Sequence, residues 1–407
     1  MKPLACNVFA LTLLLTVGHG TADVIYSGLQ NTTIPTTYAG VNIDVDGAGG
    51  WDLNPFLGGV YLSNSAAFQP GRSGTGGLDT VLNFSTGATI SASGLNFATG
   101  SGGSLDHLGT QFTAGQEGYL GFRLNGSNYG WMRVVFTNNA AGAKVLDWAY
   151  ENTGGAAIQT GNVLQNGSVV TLNSAFGTFT LGSAISGANS VVKSGANTTT
   201  LNSANSYTGT TAVNAGTLLI NGNQSSATGA VTVASGATLG GIGTVGGATT
   251  ILSGGTLAVG NSSPGLQTFS SDLTLSSGSI FAWDLAANST SGTRGTAFDA
   301  ADVTGNLNID AAAIFRVILN SPTDFANPFW DTNQSFANIF NVTGTTLSNW
   351  SSTAVSVFDT GNVLQDVSSR GSFTVTGSTL NWSAVPEPSS ALASLLIAAG
   401  LLRRRRA

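Results

Sequence analysis

The residues able to do chemistry are few. The 407 residues include 19 Asp and Glu, 13 Lys and Arg, 2 His and 1 Cys. Only 8% of the chain is charged, against about 25% in an ordinary globular domain. His19 and Cys6 lie in the first twenty residues, in what reads as a leader. His107 is then alone, in a Gly/Ser-rich stretch read as an exposed loop, so a triad would rest on it by itself. A histidine–cysteine metal site cannot be assembled from one histidine and no cysteine. Acid–base chemistry on a polymer needs carboxylates converging on a groove. Between Val170 and Ile280 the only charged residues are Lys193 and Asp272, a poor catalytic pair. Glu117 and Glu151 flank strand-like segments and read as surface carboxylates. No enzymatic activity is expected, and a reduced polysaccharide-active enzyme is the disfavoured reading.

Two constellations point to binding instead. Asn42-Ile43-Asp44-Val45-Asp46-Gly47 places side-chain oxygens at alternate positions before a turn glycine, as a calcium loop does. The twelfth position holds Leu53 rather than a bidentate glutamate, with Asp52 just before it. The two readings are a calcium site formed by Asn42, Asp44, Asp46 and Asp52, and a turn whose Asp side chains cap their own backbone. No other cofactor is expected. Trp51, Trp131 and Trp148, with Tyr61 and Tyr150, form either a carbohydrate platform or the core of a β-domain.

The elements that would position these groups are β-strands. A formal charge of -6 excludes a nucleic-acid binder, which needs a basic face. Glycine, at 56 residues, is about one in seven, and there are 9 prolines, so collagen is excluded as well. An apolar fraction of 42% is enough for a packed core.

Both ends read as addresses. Residues 1–22 combine Lys2, an apolar run over 8–17 and small residues Gly20 and Ala22 before the expected cleavage, the pattern of a secretory signal peptide. Cleavage removes Cys6, so the mature chain would hold together without disulfides. Residues 384–407 contain Val385-Pro386-Glu387-Pro388, an apolar stretch over 391–402, and Arg403, Arg404, Arg405 and Arg406. Twelve residues of helix reach about 18 Å, short of the roughly twenty residues a stable span needs. The arginines would keep the tail cytoplasmic. These three parts, in this order, resemble the PEP-CTERM sorting signal of Gram-negative bacteria. The resemblance implies processing by signal peptidase and then by an exosortase near Pro386 and Pro388. It also implies transient inner-membrane contact and an exopolysaccharide-rich surrounding. Processing at both ends would leave 18 acids against 8 bases.

The middle divides in three, and the expected fold is all-β. Residues 23–166 carry period-two strands around Leu120, Phe122 and Leu124, Trp131 and Val134, and Leu146, Trp148 and Tyr150, joined by short polar turns such as Asn125-Gly126. They read as an antiparallel β-sandwich or jelly-roll-like domain, and resemble a domain common among PEP-CTERM proteins. Residues 167–285 repeat an apolar residue, a glycine-containing turn and a second apolar residue. The units are Val213…Leu218, Val233…Leu239, Leu252…Leu257 and Leu275…Ile280, whose closing residues are spaced 21, 18 and 23 apart. That spacing predicts a β-solenoid, expected to be parallel and right-handed, in which stacked coils share a core no single coil could bury. The string from Val191 through Gly209 to Thr211, with the residues up to Gly222, resembles the autotransporter-associated β-strand repeat. No long barrel translocator follows, so the resemblance implies a passenger-like rod and not self-transport. Residues 286–383 read as terminal coils and a cap, with an aromatic stretch containing Phe329, Trp330, Phe336 and Phe340. Thr-Gly-Asn-Val-Leu-Gln occurs at 160–165 and again at 360–365, a pattern open to chance or to matching cap strands. The expected function is structural or adhesive, at the cell surface or in an extracellular matrix. The alternative is a lectin-like module that binds exopolysaccharide.

Overall fold

A computed structural model describes residues 23–100, 111–260, 262–320, 325–350 and 355–385. The leader (1–22), His107, the sorting residues Pro386, Glu387, Pro388, Arg403, Arg404, Arg405 and Arg406, and the 391–402 segment lie outside the described residues. Among the described residues no helix is long and apolar enough to cross a membrane.

The chain is all-β, and its middle is a stack of parallel coils. Two ladders carry most of the stack. In the first, Phe179–Leu181, Thr198–Leu201, Gly216–Ile220, Ala237–Gly241, Thr256–Val259, Ile280–Leu285, Ile314–Leu319 and Val355–Asp359 pair in parallel, each with the next. In the second, Val169–Asn173, Ser190–Ser194, Thr211–Val213, Val231–Val233, Thr249–Ile251, Leu273–Leu275, Leu307–Ile309 and Thr346–Ser348 do the same. A third ladder begins at Asn223–Gln224 and continues through Thr244–Val245, Leu266–Phe269, Ala300–Val303 and Phe340–Val342. Before it starts, Ile185, Asn205 and Tyr207 fill that side. Asn205 Oδ1 accepts from Ile185 N at 2.6 Å, and the Tyr207 and Thr211 hydroxyls bond at 2.6 Å.

Alternate residues of each short strand point inward, as the two-residue period requires. The inward rows are apolar and in register. Leu218, Leu239, Leu257, Phe281 and Phe315 stack in the first ladder, and Val213, Val233, Ile251, Leu275 and Ile309 in the second. All ten are buried. Two expected row members shift by one residue. Ile280 pairs with Thr256 and turns outward, leaving the inward position to Phe281. Leu252 lies just past its strand and is exposed, while Ile251 is buried. In each case the neighbouring apolar residue has the right parity for the core, and a one-residue slip would reverse every side chain.

Stacking also explains some of the glycine. Gly209, Gly229 and Gly247 form a column at one corner of successive coils. A Cβ on Gly229 would lie 1.8 Å from Gly209 O, and one on Gly247 1.8 Å from Gly229 O. Along the second ladder, the partners of Val191 recur at Thr211, Val231, Thr249, Leu273, Leu307 and Thr346. The coils therefore lengthen toward the C-terminus while the ladders run on across residue 285.

The N-terminal region is an antiparallel meander of Glu117–Leu124, Asn128–Val135 and Lys144–Glu151. The structure departs here from a self-contained two-sheet domain. Asp23–Tyr26 pairs antiparallel with Lys144–Glu151 on one edge and parallel with Phe179–Leu181 on the other, so meander and solenoid share one 16-stranded sheet. The meander is buried on both faces. Leu120, Phe122, Met132 and Val134 pack on one side with Leu53 and Leu62 of the Leu53–Phe56/Tyr61–Asn64 hairpin. Tyr119, Trp131 and Ala149 belong to the solenoid core on the other. At the far end Gln334–Phe336, Gly371–Thr376 and Thr379–Ala384 form an antiparallel sheet around Trp330, Phe336, Phe373 and Trp382.

Candidate functional sites

Three places gather polar or aromatic groups. The first is the acidic loop. Asp44, Asp46 and Asp52 each offer one carboxylate oxygen, and these oxygens lie within 4.8 Å of one another. The loop also uses them on itself. Asp44 accepts from Gly47 N at 2.9 Å and Gly49 N at 3.0 Å. Asp46 accepts from Ala48 N and from Asn125 Nδ2, both at 3.0 Å. Asp52, buried, accepts from Val45 N at 2.8 Å and the Ser65 hydroxyl at 3.3 Å. The Ala48 and Asn125 donors hold the Asp46 carboxyl below its ordinary range. Asn42 is drawn elsewhere, its Oδ1 accepting from Asn54 Nδ2 at 2.6 Å. Three hard oxygens with remaining lone pairs fit calcium chemistry, and their N–H partners fit a self-capped turn equally well.

The aromatic constellation does not hold together. Trp131 is fully buried, with its indole N–H on Asn162 Oδ1 at 3.2 Å, and Trp148 is buried with its N–H on Val45 O at 3.0 Å. These two are core and no platform, because both faces of the meander are covered. Trp51 is 41% exposed. Another group of rings lies at the hairpin, where Phe56 and Tyr61 are half-buried and Tyr38, from the loop before it, is exposed. Phe56 stacks on Tyr61 with centroids 5.4 Å apart, and Tyr38 lies 6.2 Å from Phe56. Tyr38 and Phe56 carry no strand-period or turn signal in the sequence that would have marked them.

The second place is the joint between meander and solenoid. Arg133 forks onto Asp147, with Nε to Oδ1 at 2.9 Å and Nη2 to Oδ2 at 2.7 Å. Its remaining donors reach Asn166 Oδ1 at 2.8 Å and Gln165 O at 2.7 Å. The Tyr26 hydroxyl donates to Asp147 at 2.7 Å; burial and that carboxylate push the phenol upward, so it stays a donor. Beside it, Tyr26, Ser27, Gln165, Ser183, Ser186 and Asn189 line a cleft of about 290 Å³. Glu117 and Glu151 do not meet. Glu117 is level with Val135 at one end of the meander and bonds Arg133, and Glu151 is buried at the other end beside Val24.

The third is the set of ionisable groups inside the coils. Lys193 occupies an inward position between Leu172 and Val213 and is fully buried. Its ammonium donates to the carbonyls of Ser194 (3.0 Å), Gly195 (2.9 Å) and Ala215 (2.9 Å). Desolvation pulls its pKa down to about 8, which leaves the ammonium charged at neutral pH. Asp272 is also committed to the coil, accepting from Asn306 N at 2.7 Å. Asp284 and Asp299 are buried together. Asp299 accepts from Gly265 N and from Asp284 N at 2.7 and 2.9 Å. Burial, then the neighbouring Asp284 charge, raises the Asp299 carboxyl well above its usual range, and burial raises Asp284 to about 6. No pattern in the chain marks this pair in advance, because it is assembled across the insertion between Ile280–Leu285 and Ala300–Val303.

Residues 191–220 match the passenger-associated-transport-repeat family. In the structure this stretch covers the strands from Ser190–Ser194 to Gly216–Ile220, including Lys193, Tyr207 and Thr211. No curated protein matches the chain.

Proposed function

We propose that the chain is an exported structural component of a cell surface or extracellular matrix, a passenger-like β-solenoid whose work is to extend and display. The observation that carries this reading is the unbroken parallel stack built around the matched repeat, in which Lys193 and Asp272 are committed to backbone groups. Catalysis has little to work with along these coils, so the role is non-enzymatic. The sorting motif Val385-Pro386-Glu387-Pro388 with Arg403, Arg404, Arg405 and Arg406 makes the chain an exosortase substrate after signal-peptidase cleavage, in transient contact with the inner membrane. Mass spectrometry of the mature protein, from host cells with and without the exosortase, tests this. The expected result is a start at Asp23 and an end near Pro386 or Pro388 that depends on the enzyme. An intact end at Ala407 in wild-type cells overturns the sorting.

Calcium is the cation the Asp44/Asp46/Asp52 loop would take, on the strength of the three converging carboxylates. Millimolar calcium should then raise the melting temperature, and Asp44→Asn with Asp46→Asn should abolish the rise. An unchanged melting temperature leaves the loop as a self-capped turn.

A further inference from the structure

We propose that the outer face of the Leu53–Phe56/Tyr61–Asn64 hairpin is a binding site for a neutral, pyranose-based polysaccharide. In this hairpin Phe56 pairs with Tyr61, and Asn54 with Ser63. Leu53, Pro55 and Leu62 face the core, so Asn54, Phe56, Tyr61 and Ser63 share the outward face. Tyr38 extends the row of rings and is 82% exposed, in a chain whose other tyrosines and phenylalanines are mostly buried or half-buried. A sugar ring presents weakly positive C–H groups to the negative face of an aromatic ring, while its hydroxyls seek amides and hydroxyls at the rim. Phe56 and Tyr61 each cover one face of the other, so the exposed Tyr38 ring beside them supplies most of the first surface, and Asn54, Ser63 and the neighbouring Asn42 supply the second.

The site is held rigidly. Asn54 Nδ2 is fixed on Asn42 Oδ1 at 2.6 Å. Gly40, at φ 63°, lets the Tyr38 loop close on Asn54, since a Cβ there would lie 1.9 Å from Asn54 Oδ1. The turn joining Phe56 to Tyr61 runs through three consecutive left-handed residues, Leu57 (φ 51°), Gly58 (φ 69°) and Gly59 (φ 86°). A leucine in that region is costly, and such strain collects where geometry must be exact for a ligand. The charge around the site selects the ligand. Residues 31–70 contain Asp44, Asp46 and Asp52 and no Lys or Arg of their own, and the cations that reach this segment sit at its two ends, Arg123 on Gln69 and Lys144 beside Thr33, so a neutral polymer is favoured over an anionic one.

The rod reading needs no such ligand, so this site goes beyond it. Native gels of the whole mature chain, cast with hydroxyethylcellulose, galactomannan or polygalacturonate, test it. Retardation is expected in a neutral-polymer gel and not in polygalacturonate. Tyr38→Ala and Tyr61→Ala should weaken it at least tenfold at unchanged melting temperature, while Phe176→Ala, an exposed ring elsewhere, should not. Should Tyr61→Ala unfold, Tyr38→Ala decides, because its side chain is almost wholly in solvent. No retardation in either neutral gel, or equal retardation of the Tyr38 variant, overturns the site. So does stronger binding to polygalacturonate. Ultracentrifugation showing a dimer that Tyr38→Ala dissolves would overturn it in favour of contact between copies. None of these failures touches the sorting experiment, which fails only on the mature termini.

Discussion

At the scale of single residues, the charges of the coils are instructive because they sit where apolar residues would serve the core. Lys193 stands in an inward row, and its ammonium ties the carbonyls of one coil to Ala215 of the next. Lys193→Met keeps the apolar stem and removes one donor from three half-buried carbonyls, of which those of Ser194 and Gly195 keep bonds from Ser174 while that of Ala215 loses its inter-coil tie. Leaving such groups unmet costs roughly 1–3 kcal/mol, so urea denaturation should show a loss of about 2 kcal/mol; an unchanged midpoint would mean the carbonyls find other donors. The Asp284/Asp299 pair makes stability depend on pH in the direction opposite to that of most carboxylates. Asp284 is raised to about 6 in the folded chain, against about 3.9 when unfolded. Between these values the folded state holds a proton that the unfolded state lacks. The stabilisation is therefore complete below about pH 4 and lost as pH rises through 6. Melting temperature should rise on going from pH 7 to pH 5, with Asp284 contributing roughly 1 kcal/mol; Asp284→Asn should reduce that rise, and Asp284→Asn with Asp299→Asn should flatten it. Neither feature is legible in the sequence beyond the presence of the charges. Lys193 reads as a rod's lone cation, and its inward parity emerges only once the register is known.

At the scale of elements, the joint and the corners carry the argument. Asp147 is buried and its partners converge from three segments, with Arg133 at the centre. Removing one member of a buried pair strands the other, at about 3–5 kcal/mol. Arg133→Ala should lower stability by that amount and loosen the meander from the first coil, read as loss of amide-exchange protection in Asp23–Tyr26. Protection retained there would place the hold in apolar contacts alone. The glycine column makes a sharper claim about the coils. Gly229→Val sets a side chain against Gly209 O, and overpacking of this kind costs about 1–3 kcal/mol; an undiminished melting temperature would argue against the stacking. Much of this was legible in the sequence. Leu218, Leu239 and Leu257 recur at the spacing of one coil and do stack in register. The failures at Leu252 and Ile280 are one-residue parity errors beside a second apolar residue, which composition cannot resolve. The repeated Thr-Gly-Asn-Val-Leu-Gln string acquires a structural sense. Its first copy leads into Val163–Asn166, antiparallel to the first strand of the second ladder. In its second copy Val363 and Gln365 bond antiparallel to Val357 and Asp359 of the last strand of the first ladder. Both cover a ladder end that would otherwise be open to pairing with other chains.

At the scale of the whole molecule, a continuous sheet runs from the meander into the coils, and the solenoid core extends onto one face of the meander while the other face packs in a second cluster with the hairpin. A separate N-terminal domain was expected because its strands are more aromatic and more charged. The sequence could not reveal that Asp23–Tyr26 pairs on both edges, since strand pairing leaves no mark in composition. One consequence is mechanical unity: the shared sheet should make meander and first coils melt together, visible as coincident loss of tryptophan fluorescence and β-sheet circular dichroism. Two separated transitions would mean the meander folds on its own. The other consequence is functional. A rod of near-neutral coils, carrying an aromatic face at one end, is suited to standing outside a cell. Brief protease treatment of intact host cells, followed by peptide mass spectrometry, decides whether the coils stand outside. Peptides from the coils, such as those spanning residues 191–220, should be released while a cytoplasmic marker stays whole. Coil peptides appearing only after the cells are lysed would contradict that placement.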